Sequence, residues 1–132
     1  FLGVRDAGAV LTGRVVGHAT DGLTKIETGA GAFWVPGAVG RAGSNVRVRV
    51  PAQDVILSRS APTDISALNV LPVTIAALER GAGPGVAVAL TVGDTSLLAR
   101  VKKRSCDVMG LAVGDQIFAI LKATAIAPAD VG

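Results

Sequence analysis

The sequence predicts an all-β chain of short strands folded as two small barrels, and three observations carry that prediction. Half of the 132 residues are apolar, mostly Val and Ala, with aromatics at 3% and no Tyr. Small branched side chains suit a thin barrel, whose narrow interior is filled by interdigitation. The 17 glycines are spread along the chain, which favours many tight turns over long helices. Runs of β-branched residues also recur at short, regular intervals, as they do in small barrels and sandwiches.

Taken in order, the first expected strands are Val10–Val16, Leu23–Glu27, Phe33–Val35, Val46–Val50 and Asp54–Leu57. A second set covers Val70–Leu78, Val86–Val92, Thr95–Val101, Gln116–Ile120 and Ala123–Ala127. Turn signals separate them: Asp21-Gly22, Ala42-Gly43-Ser44-Asn45, the Gly81–Gly85 segment and Gly93-Asp94. Pro51 is placed near a strand end, where its missing donor costs least. One segment departs from the pattern. Ser105–Leu111 reads as a short helix, with Ser105 as N-cap, Asp107 in the first turn and Gly110 at the C-terminal stop. A helix start of this kind presents unpaired N–H groups that suit an anion.

The chain repeats itself. Residues 42–55 match 113–126 as a turn glycine, an apolar strand and then Ala-x-x-Val/Ile, and 10–15 match 70–75. Two degenerate copies are therefore expected, 1–60 and 61–132, joined near Ser58–Pro62, with the helix inserted in the second.

The charge balance is +3 with a pI near 9.6. The one dense basic cluster is Lys102-Lys103-Arg104, and few aromatics are available for stacking (Phe1, Phe33, Trp34 and Phe118). Nucleic acid is therefore not the expected partner; a small anion fits a modest positive balance better. A single cysteine, Cys106, allows no intrachain disulfide and fits a reducing cytoplasm. No stretch approaches the ~20 apolar residues of a membrane-spanning helix, and no secretory leader is expected. A start at Phe1-Leu2-Gly3 leads us to expect a fragment of a longer protein.

Catalysis finds little support. His18 lies between Gly17 and Ala19 with no nucleophile beside it. No Cys, His or carboxylate spacing suits a metal, and no phosphate loop or dinucleotide fingerprint occurs. What remains is a set of small donors in the second copy: Ser66 and Asn69 entering a strand, Lys102 three residues before Ser105, and Lys122 ahead of Ala123. A tetrahedral dianion needs several such donors, each charge-assisted bond contributing roughly 1.5–3 kcal/mol. Four or five of them would give micromolar affinity or better after entropic costs.

At these residues the chain resembles the Mop, or molbindin, domains of the TOBE superfamily. The family's Ser-Ala-Arg-Asn ahead of a Leu-containing strand stands here as Ser66-Ala67-Leu68-Asn69-Val70-Leu71. Its Thr-x-x-Ser, Leu-Gly-Leu and following glycine stand as Lys102 to Ser105, Met109-Gly110-Leu111 and Gly114, and its Ile-Lys-Ala as Leu121-Lys122-Ala123. Order and spacing agree over about Ile65 to Ile126. Phe1-Leu2-Gly3, Arg47-Val48-Arg49 and Ala52-Gln53-Asp54-Val55 extend the likeness to the C-terminal regulatory region of molybdate ABC transporter ATP-binding subunits.

The resemblance implies two OB-like barrels, a homodimer, and molybdate or tungstate held by Ser66, Ala67, Asn69, Lys102, Ser105, Lys122 and Ala123. The Ala67 and Ala123 contributions are backbone N–H groups. No cofactor is implied. It also implies a cytoplasmic location at the inner face of the membrane, reached through an ATPase domain that contacts the transporter's membrane subunit. Alternatives in the same family are a ligand-free dimerisation platform and a stand-alone molybdate store. Leu68 stands where the family has Arg, and Lys102 where it has Thr, so one positive charge is lost and another gained.

Overall fold

The computed structural model describes residues 8–81, 83–122 and 127–130. Within them the strands are β1 (Gly8–His18), β2 (Leu23–Thr28), β3 (Gly31–Pro36), β4 (Asn45–Pro51), β5 (Ile56–Ser58), β6 (Asn69–Arg80), β7 (Gly85–Val92), β8 (Thr95–Lys102), β9 (Gln116–Leu121) and β10 (Ala127–Asp130). The helix α1 (Lys103–Met109) falls between β8 and β9, and a 3₁₀ turn spans Ala52–Asp54. The all-β expectation holds, with every expected strand up to Gln116–Ile120 at its place. The strand expected over Asp54–Leu57 is the exception in detail: chain entering from Pro51 first makes the 3₁₀ turn, and β5 begins at Ile56. Of the strand expected over Ala123–Ala127, residues 123–126 lie outside the described residues.

Alternation makes the curvature intelligible. β4 alternates exposed and buried residues, with Val46, Val48 and Val50 inside; β7 does the same with Val86, Val88, Leu90 and Val92. The inward rows of both sheets merge into one contiguous apolar cluster, running from Leu11 and Phe33 through Val73 and Leu90 to Leu121. Phe33 is buried, while Trp34 and Phe118 are half-buried.

Two five-stranded antiparallel sheets curl around this core, in the orders β10-β4-β1-β2-β3 and β5-β9-β6-β7-β8. They form a tandem pair of OB-type half-barrels with one short helix. The sheets exchange their last strands. β5 follows β4 in the chain but pairs with β9, Ile56 opposite Ile120 and Leu57 opposite Ala119. β10 follows β9 but pairs with β4, Ala127 opposite Arg49 and Pro128 opposite Val48. Set beside the division expected at residue 60, β5 therefore lies by sheet with the second copy and β10 with the first.

The repeat extends to individual hydrogen bonds. In the first unit Val15 N–H donates to Ser44 O at 2.9 Å and Gly43 N–H to Val15 O at 2.8 Å. In the second, Ile75 N–H donates to Asp115 O at 2.9 Å and Gly114 N–H to Ile75 O at 2.8 Å. Gly43 and Gly114 hold φ +88° and +95°, a turn geometry open to glycine. Register shifts follow at matching places, Val15/Gly17 and Ile75/Ala77, and bulges of this kind bend a strand.

Candidate functional site

The second unit's strand β8 ends at Lys102, which stands opposite Gly85 of β7, and the chain turns directly into α1. Ser105 does not cap this helix. The N-cap is Lys102, without a side-chain bond, and Ser105 is an exposed residue inside the first turn. Asp107 is correspondingly outside the first turn, and its carboxylate meets Arg80 Nη1 at 3.1 Å. A partner distant in sequence holds this start: Lys103 N–H, an orphan of the first turn, donates to Pro84 O at 2.6 Å. That donor is spent within the protein, so the helix start offers less to an anion than expected. The C-terminal stop agrees with expectation. Gly110 is left-handed at φ +64°, ψ 42°, and Leu111 N–H closes on Cys106 O at 3.1 Å.

Lys102 and Ser105 open onto one cleft of about 450 Å³ between the exchanged strand β5 and the β8–α1 corner. Its first wall is Gln53, Val55, Ile56 and Leu57; its second includes Arg100, Lys102, Ser105 and Met109. Val55, Leu57 and Leu111 are buried, whereas Gln53, Lys102 and Ser105 are exposed, so an apolar floor carries a polar, cationic rim. Such a site can orient a small anion by charge and hydroxyl donation.

The remaining expected donors lie elsewhere. Asn69 opens β6, at the strand end remote from Arg80, and pairs with Leu121 of β9, so Lys122 follows directly beyond that pair. Ser66 and Lys122 are exposed and Ala67 half-buried; Ala123 lies outside the described residues. Asn69 itself is buried, at 2% exposure. Its Oδ1 accepts from Trp34 N–H at 2.8 Å, and its Nδ2 donates to Trp34 O at 3.1 Å. The side-chain amide thus occupies the place of a neighbouring peptide along the edge of β3, tying the two units together. None of Ser66, Asn69 or Lys122 lines the cleft. The cleft brings Lys102 and Ser105 together and none of the other expected donors.

Sequence reasoning missed Gln53 and Arg100 of the cleft: the strand exchange is what brings residue 53 to the second unit, and Arg100 lies within β8 outside the matched motifs. It also missed Arg59, which fastens the chain after β5 to the end of α1. His18 Nε2 lies 2.9 Å from Gly40 O and braces a loop. Among the described residues, no group of three or more His, Cys, Asp or Glu could hold a metal, and no helix is long and apolar enough to cross a membrane. Two further grooves are equivalent under the repeat. One, of about 620 Å³, has Thr12, Arg14, Glu27 and Arg47 in its lining; the other, of about 440 Å³, has Pro72, Thr74, Thr91 and Phe118 at the corresponding positions.

Residues 65–128 match the TOBE domain family. The chain is 42% identical over 133 residues to the molybdenum import ATP-binding protein ModC of Rhodobacter capsulatus, covering 96% of this chain and 37% of that protein. The ModC proteins of Mesorhizobium japonicum and Albidiferax ferrireducens are 37% and 43% identical, over 96% and 91% of this chain. The chain spans about a third of the length of these curated relatives. Among solved structures it is similar to the cytoplasmic molybdate-binding protein ModG with molybdate bound, at a TM-score of 0.77 and 25% identity, covering 91% of this chain and 94% of that one. Residues 65–128 of this chain thus carry the TOBE match, and 96% of the chain is similar to the molybdenum import ATP-binding protein of Rhodobacter capsulatus.

Proposed function

We propose that this chain is a non-catalytic, regulatory oxyanion-binding region that takes molybdate or tungstate in the cytoplasm as part of a molybdenum import ATP-binding subunit. The supporting observation is the near end-to-end likeness to a protein solved with molybdate bound, joined to a cleft whose rim carries Lys102 and Ser105. Lys102 and Ser105 supply charge and a hydroxyl from one side. Ser66, Asn69, Lys122 and the backbone near Ala67 and Ala123 supply the other donors, at a contact between two copies of the chain. No cofactor enters. Regulation follows from linkage: an anion that bridges two copies favours one arrangement of the dimer, and hence one arrangement of the attached ATPase domains and the membrane subunit they contact.

Isothermal titration with molybdate, against sulfate as control, tests binding. Saturable heat with molybdate is expected, and no heat at millimolar ligand removes the oxyanion function. Near-complete coverage of ModG favours a second reading, a stand-alone molybdate store. The full gene product separates the two: a store carries no ATPase domain, whereas the subunit's ATP hydrolysis changes with added molybdate. A ligand-free dimerisation platform predicts instead that Ser105→Ala and Lys122→Ala leave thermal stability in molybdate unchanged.

A further inference from the structure

From the contacts of Arg59 we infer that this arginine is a positioning residue for the oxyanion cleft, acting through α1 on Ser105 and Lys102; the inference rests on the function proposed above. Arg59 directly follows β5, whose Ile56 and Leu57 form one wall of the cleft. Its guanidinium crosses to the other wall. Nε donates to Met109 O at 3.1 Å, and Nη2 lies 2.8 Å from Met109 O, 2.7 Å from Gly110 O and 3.0 Å from Asp115 Oδ2. The first two acceptors are carbonyls at the C-terminal end of α1, where unpaired carbonyls and the helix dipole favour a cation.

Asp115 extends the clamp by accepting Ala112 N–H at 3.0 Å, which holds the turn beyond the helix. Ser105 lies four residues before Met109, so both share one face of α1, and both line the cleft. A shift at the Met109 carbonyl therefore moves the Ser105 hydroxyl and the Lys102 corner from which the helix starts. Arg59 is 46% exposed and lines no part of the cleft itself. It sets the spacing between the walls without touching an anion there.

The test is molybdate titration of the wild type, Arg59→Gln and Arg59→Lys at 10 °C, with circular dichroism verifying that each is folded. Arg59→Gln is expected to weaken binding about tenfold, as loss of an outer partner of a ligand-holding group does. Arg59→Lys should recover part of that loss, because an ammonium still favours the helix C-terminal carbonyls although it lacks the fork that spans Met109 O, Gly110 O and Asp115. A wild type that gives no heat marks failure of the proposed function. A wild type that binds while Arg59→Gln binds equally well overturns this inference alone, even if that variant melts earlier. Loss in Arg59→Gln with no recovery in Arg59→Lys overturns it too.

Discussion

Asn69→Ala probes the joint between the two units. The wild-type amide makes two hydrogen bonds to one residue of the other sheet, Trp34 N–H at 2.8 Å and Trp34 O at 3.1 Å. Each such bond contributes a net 0.5–1.5 kcal/mol, about 1–3 kcal/mol for the pair. Asn69 is 2% exposed, so water reaches the abandoned groups poorly and the upper part of that range applies, about 2–3 kcal/mol. In a chain of this size each kcal/mol moves the melting temperature by roughly 4 °C, giving a fall of about 8–12 °C. Asn69→Asp should fall as well, since a carboxylate keeps an acceptor for Trp34 N–H but has no donor for Trp34 O. Thermal melts and urea titrations without ligand measure both. A change under about 2 °C for Asn69→Ala would refute the claim that this amide ties the units. Repeating the melts with molybdate separates two roles: a tie alone costs the same in both conditions, whereas a donor to the anion costs more when molybdate is present.

Three further outcomes test the fold around the site. Gly13→Ala places a methyl 2.6 Å from Ile26 Cγ2 and 2.8 Å from the Glu27 carbonyl; the carbonyl belongs to a paired strand and cannot yield, so urea melts should show a loss of about 1–3 kcal/mol. Thr24 is buried, its hydroxyl donating to Gly37 O and accepting from Val39 N–H. Thr24→Val keeps the shape but strands both groups and should cost about 2 kcal/mol, with Thr24→Ser close to wild type in the same melts. Cys106 is fully buried, with Arg80 Nη2 3.4 Å from its sulfur; a thiol reagent should label it only on unfolding, and rapid labelling of the native chain would contradict that packing.

Much of the fold was legible because its determinants are local. Inward valines alternate within single strands, and the turn glycines sit where a positive φ is needed, as Gly43 and Gly114 show. The repeat was legible for the same reason, since a turn and its following strand recur as one block. The strand exchange was not. β5 and β10 are short runs whose composition is silent about which sheet they join, and that choice depends on pairing with β9 and β4. The start of α1 lies at Lys103 and not after Ser105, and its first N–H is held by Pro84 O, a non-local partner on which the local sequence is silent. At the site, the spacing of Lys102 and Ser105 was readable as one turn of chain. Asn69 was readable as a donor, but nothing nearby in sequence points to Trp34, 35 residues earlier, as its partner.

The division of the donors bears on assembly. A tetrahedral dianion stripped of water needs several donors at once, because each unfilled position costs as much as a made bond contributes. The cleft offers Lys102 and Ser105 at its exposed rim. Ser66, Lys122 and Asn69 stand outside that lining, and the Asn69 amide is already engaged on Trp34. If both sets hold one anion, as proposed, the ion is shared between copies, and ligand and dimer are thermodynamically coupled. Light scattering after size exclusion should then show the dimer fraction rising with molybdate at fixed chain concentration. Lys102→Ala and Lys122→Ala should each reduce that rise while leaving the melting temperature without ligand within about 2 °C, since both side chains are exposed. A chain that stays monomeric while binding one molybdate with micromolar affinity would show one copy's donors to be sufficient, and would remove the reason for a shared site.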